Sequence, residues 1–108
     1  MNMPQIYKIV FDDHEWFEAG DGMRYKRIQL GETQVRLVEW DKAMVHANWC
    51  LKGHIAYVIE GDVEIDIAGK VFRYGPGDVF IVPEGEEYKH RPKVLTEKMR
   101  FFSVEKAS

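Results

Sequence analysis

Two residues with metal and proton chemistry stand close together in the middle of the chain: Cys50 and, four residues on, His54. A second imidazole comes later, in the run Tyr88-Lys89-His90, and Asn48 precedes the cysteine by two residues. Thiolate sulfur and imidazole nitrogen together suit a late divalent ion such as zinc, nickel, copper or iron, whereas calcium and magnesium ask for more oxygens. The same Cys–His pair has a second possible chemistry, a nucleophilic thiol beside its base. Each residue also has a plain structural reading. Cysteine is among the most buried residue types and often acts as a small apolar filler. His90 suits a strand end bonded to Glu86 or Glu87, and Tyr88 suits a core position with a satisfied hydroxyl. A lone C-x3-H pair is weak, so what matters is whether the fold gathers these side chains.

The elements that must position them are strands. "VEIDI" (63–67) alternates Val63, Ile65 and Ile67 against Glu64 and Asp66, the period of a half-buried strand. "QVRLVEW" (34–40), "VFRY" (71–74), "DVFIVP" (78–83) and "MRFFSVE" (99–105) are further strands, and "RYKRIQL" (24–30) and "IYKIVF" (6–11) complete the set. Between them lie turn residues: Gly31, Gly61-Asp62, Ala68-Gly69, Gly75-Pro76-Gly77, Pro83 and Gly85. No window carries a convincing amphipathic helix. Many short strands separated by turns predict an all-β sandwich or barrel. Ile55, Tyr57 and Ile59 oppose Ala56 and Val58, and Val79 and Ile81 oppose Phe80 and Val82, so these strands are apolar on both faces. One face is covered by the opposite sheet; the other needs the N-terminal segment or a second copy of the chain. A homodimer is therefore expected.

Composition bounds the rest. The 108 residues fit a single domain, 1–108, and 45% hydrophobic residues suffice for a core. A formal net charge of −3 lacks the basic excess of a nucleic-acid binder. "KHRPK" (89–93) lies beside "EGEE" (84–87) and reads as a solvated loop edge. One cysteine cannot close an internal disulfide, which fits a reducing compartment. No run approaches the roughly 20 apolar residues of a membrane span, and "MNMPQIYK" lacks the apolar stretch of a signal peptide. A cytoplasmic protein with no nucleic-acid or membrane partner is expected.

The glycine and proline spacing narrows the fold. "HIAYVIEG" (54–61) ends on Gly61, and Gly77 is followed after five residues by Pro83 and then, one residue on, by Gly85. These blocks resemble the two sequence motifs of the cupin superfamily, over roughly 45–104. The resemblance is to a small single-domain cupin and implies a double-stranded β-helix, the jelly-roll barrel, with Gly61 in a tight hairpin and Gly75 to Gly77 in the next reversal. It also implies a metal site of three histidines and a glutamate. The chain departs from that set: Asn48 and Cys50 stand at the two first-motif histidine positions, His54 at the glutamate position, Tyr88 at the second-motif histidine, and Pro92 at the asparagine.

Strand parity lets neighbours substitute for the missing ligands. Residues two apart share a face, so Tyr88 and His90 are expected to point inward while Lys89 and Arg91 face solvent. Asn48 and Cys50 share a face, and His54 opens the next strand at the same mouth. Cys50, His54 and His90 are thus the expected metal ligands, with Asn48 and Tyr88 beside them as ligand-binding groups. His46 lies off that face, and His14 falls in a loop. The function implied is a small-molecule-binding barrel, metal-dependent through a non-standard Cys/His site, with a metal-free binding, sensing or structural barrel as the alternative. The tryptophans, Trp16, Trp40 and Trp49, are expected in the core or at an interface.

Overall fold

The structure, a computed structural model, describes residues 8–20, 22–44 and 49–107. Among these residues nine strands form two antiparallel sheets: β1 (Phe17–Glu18), β2 (Met23–Leu30), β3 (Thr33–Asp41), β4 (His54–Glu60), β5 (Val63–Ile67), β6 (Lys70–Tyr74), β7 (Val79–Val82), β8 (His90–Val94) and β9 (Lys98–Lys106). The larger sheet has the order β1-β2-β3-β9-β4-β7, and the smaller β6-β5-β8. Among the described residues the only helical turns are short 3-10 pieces at Phe11–Asp13 and Glu86–Tyr88, and no helix is long and apolar enough to cross a membrane.

Alternation decides which side chains meet. From the larger sheet Val38, Trp40, Ala56, Val58, Phe80, Val82, Met99 and Phe101 turn inward, and from the smaller Val63, Ile65 and Val94 meet them, so the core lies between the sheets. Towards one end of the larger sheet the same inward face becomes polar, with Gln34, Arg36, His54, Ser103 and Glu105 following the apolar residues on their strands.

The turns carry one correction. The β4–β5 junction is no hairpin, because β4 pairs with β7 and β9 while β5 pairs with β6 and β8. Gly61, at φ +83°, is a corner where the chain changes sheet, and a Cβ there would lie 2.8 Å from the Met99 Cα. Gly75 to Gly77 make a second such crossing, from β6 to β7. The tight hairpin lies between β5 and β6, where Ala68 (φ 52°) and Gly69 (φ 91°) make the two-residue loop that twisted strands prefer. The segment expected as a strand over 6–11 is a strand in none of its described part, which ends in the 3-10 turn at Phe11.

The outer face of the larger sheet runs Leu37–Phe102–Tyr57–Val79 and Val35–Val104–Ile55–Ile81 across β3, β9, β4 and β7. Phe11 covers Phe102 at 6.1 Å between ring centroids. Further along, Ile55 (54% exposed), Tyr57 (50%), Val79 (50%) and Ile81 (65%) remain open among the described residues.

Candidate metal centre

Cys50 is not part of a long strand. Its backbone forms an isolated antiparallel bridge with His90, Cys50 N–H donating to the His90 carbonyl at 2.8 Å and His90 N–H returning the bond at 3.0 Å. In such a pair the two side chains emerge on the same face. The loop that follows is pinned by the Gly85 N–H to the Leu51 carbonyl, 3.0 Å, and Gly53 packs where a Cβ would press on the Val82 carbonyl at 3.2 Å. His54 then enters β4 beside Val82. Three segments distant in sequence thereby bring Cys50, His54 and His90 together, one ligand atom of each lying within 4.8 Å of the others.

Both imidazoles are held by the nitrogen facing away from the cysteine. His54 Nδ1 is 2.9 Å from Glu105 Oε2, which directs Nε2 to Cys50 Sγ at 3.6 Å. His90 Nδ1–H donates to the Tyr88 carbonyl at 3.1 Å, so in the neutral ring the lone pair sits on Nε2. That Nε2 is buried without a well-formed hydrogen bond among the described residues. The two rings stand perpendicular, 5.1 Å apart.

Glu105 is itself tightly held. Arg36 lies 3.2 Å from its carboxylate and Gln34 Nε2 donates to Oε1 at 2.7 Å. Burial would raise the Glu105 pKa, but His54, Arg36 and Gln34 outweigh it and keep the carboxyl below its ordinary value. Burial likewise opposes charge on His54, yet the bonds to Cys50 and Glu105 prevail and raise it from 6.5 to about 9. The hydrogen bond from His54, then the influence of His90, overcome burial at Cys50 and lower its thiol from 9.0 to about 5. At neutral pH the metal-free cluster is thus a thiolate–imidazolium pair backed by a carboxylate.

Donor type and spacing both fit a transition metal. A tetrahedral zinc with ordinary Zn–S and Zn–N bonds separates sulfur from nitrogen by about 3.6 Å, the spacing found between Cys50 and His54. The wider distances in the cluster, up to 4.8 Å, close by side-chain movement on the order of 1 Å. Nδ1 held by a carboxylate or carbonyl, with Nε2 turned to the ion, is the usual outer support of a metal-binding histidine.

The cluster opens on a cavity of about 350 Å³. Met23, Tyr25, Trp40, Phe80 and Phe101 make much of its apolar wall, and Arg27, Arg36, Gln34, Lys52 and Glu105 its polar one. Trp40 meets the core expectation, packing on Phe101 at 4.7 Å, and it also lines this cavity.

The placement of Tyr88 corrects the parity argument. It sits in a 3-10 turn ahead of β8, 38% exposed and outside the cavity lining, so alternation begins only at His90; Tyr88 reaches the site through its backbone carbonyl. His90 bonds that carbonyl rather than Glu86 or Glu87. Asn48 and His46 lie outside the described residues. Sequence reasoning passed over Glu105, Gln34 and Arg36. The available signal was alternation: Met99, Phe101, Ser103 and Glu105 are successive inward positions of β9, and Gln34, Arg36, Val38 and Trp40 those of β3.

Two facing antiparallel sheets with a side-chain cluster at the open end of their interior make this a cupin jelly-roll barrel. Solved structures agree: KdgF from Halomonas sp. matches with a TM-score of 0.77 at 20% identity, covering 92% of this chain and 91% of that one. An RmlC-like cupin from Shewanella frigidimarina gives 0.73 at 19% identity, over 94% and 91%. The cupin domain of Cnp3 from Schizosaccharomyces pombe gives 0.69 at 14% identity, over 94% and 74%. At these identities the likeness is one of fold. The chain belongs to the Mif2/CENP-C like family, whose sequence model matches residues 47–104, more than half of its length. No curated protein sequence matches it significantly.

Proposed function

We propose that this protein is a small-molecule-binding cupin barrel whose Cys50, His54 and His90 take one divalent transition metal: zinc, nickel, copper or iron. The observation that supports this most is the convergence of Cys50, His54 and His90, one ligand atom of each within 4.8 Å of the others, with the buried Nε2 of His90 lacking a well-formed hydrogen bond among the described residues. A buried acceptor without a partner is unfavourable by about 1–3 kcal/mol, and an ion relieves it. A bound metal would supply Lewis acidity towards an oxygen of a ligand or water. The chain's own groups do the rest: Glu105 and the Tyr88 carbonyl orient the two rings, and the apolar wall limits water around the ligand.

Cobalt titration of protein purified without a histidine tag tests the reading. One equivalent is expected to give a thiolate-to-cobalt charge-transfer band that His90→Ala weakens and Cys50→Ser abolishes, and chelator should lower the melting temperature of the loaded protein. Absence of that band, with a melting temperature indifferent to both metal and chelator, would favour the second reading, a metal-free binding or structural barrel. One observation supports that alternative: Cys50, His54 and Glu105 already satisfy one another without an ion.

The open apolar face of β4 and β7 supports a homodimer. Ile55, Tyr57, Val79 and Ile81 are contiguous there, and β7 is an edge strand. A reducing compartment such as the cytoplasm would keep Cys50 available as a thiolate.

A further inference from the structure

We infer that the cavity selects a small organic oxyanion, a carboxylate or phosphomonoester, through Arg27. The inference deepens the small-molecule reading above and rests on it. Arg27 and Arg36 are direct cross-strand partners on β2 and β3, and both line the cavity. Like charges directly opposite one another in an antiparallel pair are destabilising, so this placement calls for a counter-charge.

The protein's described residues do not provide one for both. Glu105 is the one carboxylate among the described cavity-lining residues, and it is committed to Arg36, Gln34 and His54. Arg27, exposed at the mouth, has no hydrogen bond or ion pair among the described residues.

A ligand that answers this arrangement is anionic at one end and apolar along its body. A guanidinium presents a planar fork that matches the two oxygens of a carboxylate or phosphate. Beyond it, Met23, Tyr25, Trp40 and Phe101 offer an apolar surface for a short carbon chain. The volume of about 350 Å³ suits a molecule of metabolite size.

Calorimetric titration of the tag-free protein tests this, with succinate, glycerol phosphate and the neutral isostere succinamide as probes. Both zinc-loaded and zinc-free protein are titrated, with zinc content measured separately. At least one of the two anions should bind saturably and succinamide should not; which anion binds identifies the class. Arg27→Gln, at an exposed position that leaves the fold intact, should weaken that binding about 10- to 100-fold, the loss of a charged hydrogen bond. Binding of neither anion, equal binding of succinamide, or unchanged affinity in Arg27→Gln would each overturn the inference. Zinc uptake without anion binding overturns this inference alone; anion binding without zinc uptake overturns the metal reading alone.

Discussion

The two faces of the larger sheet depart from the usual division in opposite ways. Its inner face, normally the apolar one, carries Gln34, Arg36, His54, Ser103 and Glu105 towards one end of the barrel. Its outer face, normally the polar one, exposes Ile55, Tyr57, Val79 and Ile81. Both departures are costly in an isolated chain: buried polar groups need partners, and exposed apolar groups lose the benefit of burial. The inner polar end answers its cost with a hydrogen-bond network centred on Glu105, and among the described residues it leaves Ser103 Oγ open. The outer face has no such answer among the described residues. On the reading proposed above, one face would take a small guest and the other a second copy of the chain.

The largest effect that would break this contrast is removal of Glu105. Glu105→Ala strands Arg36 and His54 in a setting where their carboxylate is 5% exposed. Chemical denaturation should show a loss of about 3–5 kcal/mol, as when one partner of a buried ion pair is deleted. A loss below about 1 kcal/mol would place the network outside the stabilising core of the site.

The next effect is on reactivity. In metal-free protein the Cys50 thiol, lowered to about 5 chiefly by His54, is a thiolate above that pH and a thiol below it. Alkylation of Cys50 should therefore stay fast from neutral pH down to about 5 and fall away under it. In His54→Ala the midpoint should move up towards 9.0, slowing alkylation at neutral pH. An unchanged profile would separate Cys50 from His54 in solution.

On the outer face, Ile81→Glu should convert dimer to monomer in light scattering while changing the monomer's stability by no more than about 0.5 kcal/mol, as expected at an exposed site. A parent protein that is monomeric at micromolar concentration would remove the second-copy reading and leave the inner face unaffected. The smallest effect sharpens the inner face: Tyr88→Phe and Tyr88→Ala should leave cobalt affinity within about twofold, because the site uses only the backbone carbonyl of Tyr88.

Much of this was legible in the sequence, and the reasons for the rest are physical. Period-two alternation found strands through most of the chain, and the Gly61 and Gly77-to-Gly85 spacing matched the cupin barrel. The same glycine spacing could not say whether Gly61 closes a hairpin or turns a corner, since a positive φ serves both and only pairing of distant strands decides. Cys50, His54 and His90 do lie together, Cys50 through an isolated bridge to His90 and not through a strand of its own. Tyr88 was misplaced because parity was counted through a 3-10 turn, where period two does not hold. Glu105 went unnoticed because it stands 51 residues from His54, and no local pattern marks such a contact.

X-ray absorption of tag-free protein carrying one equivalent of zinc tests the central claim most directly. The spectrum should show a shell with one sulfur at about 2.3 Å and two imidazole nitrogens at about 2.0–2.1 Å. A shell of oxygen and nitrogen donors without sulfur, or failure to retain one equivalent of zinc, would contradict it.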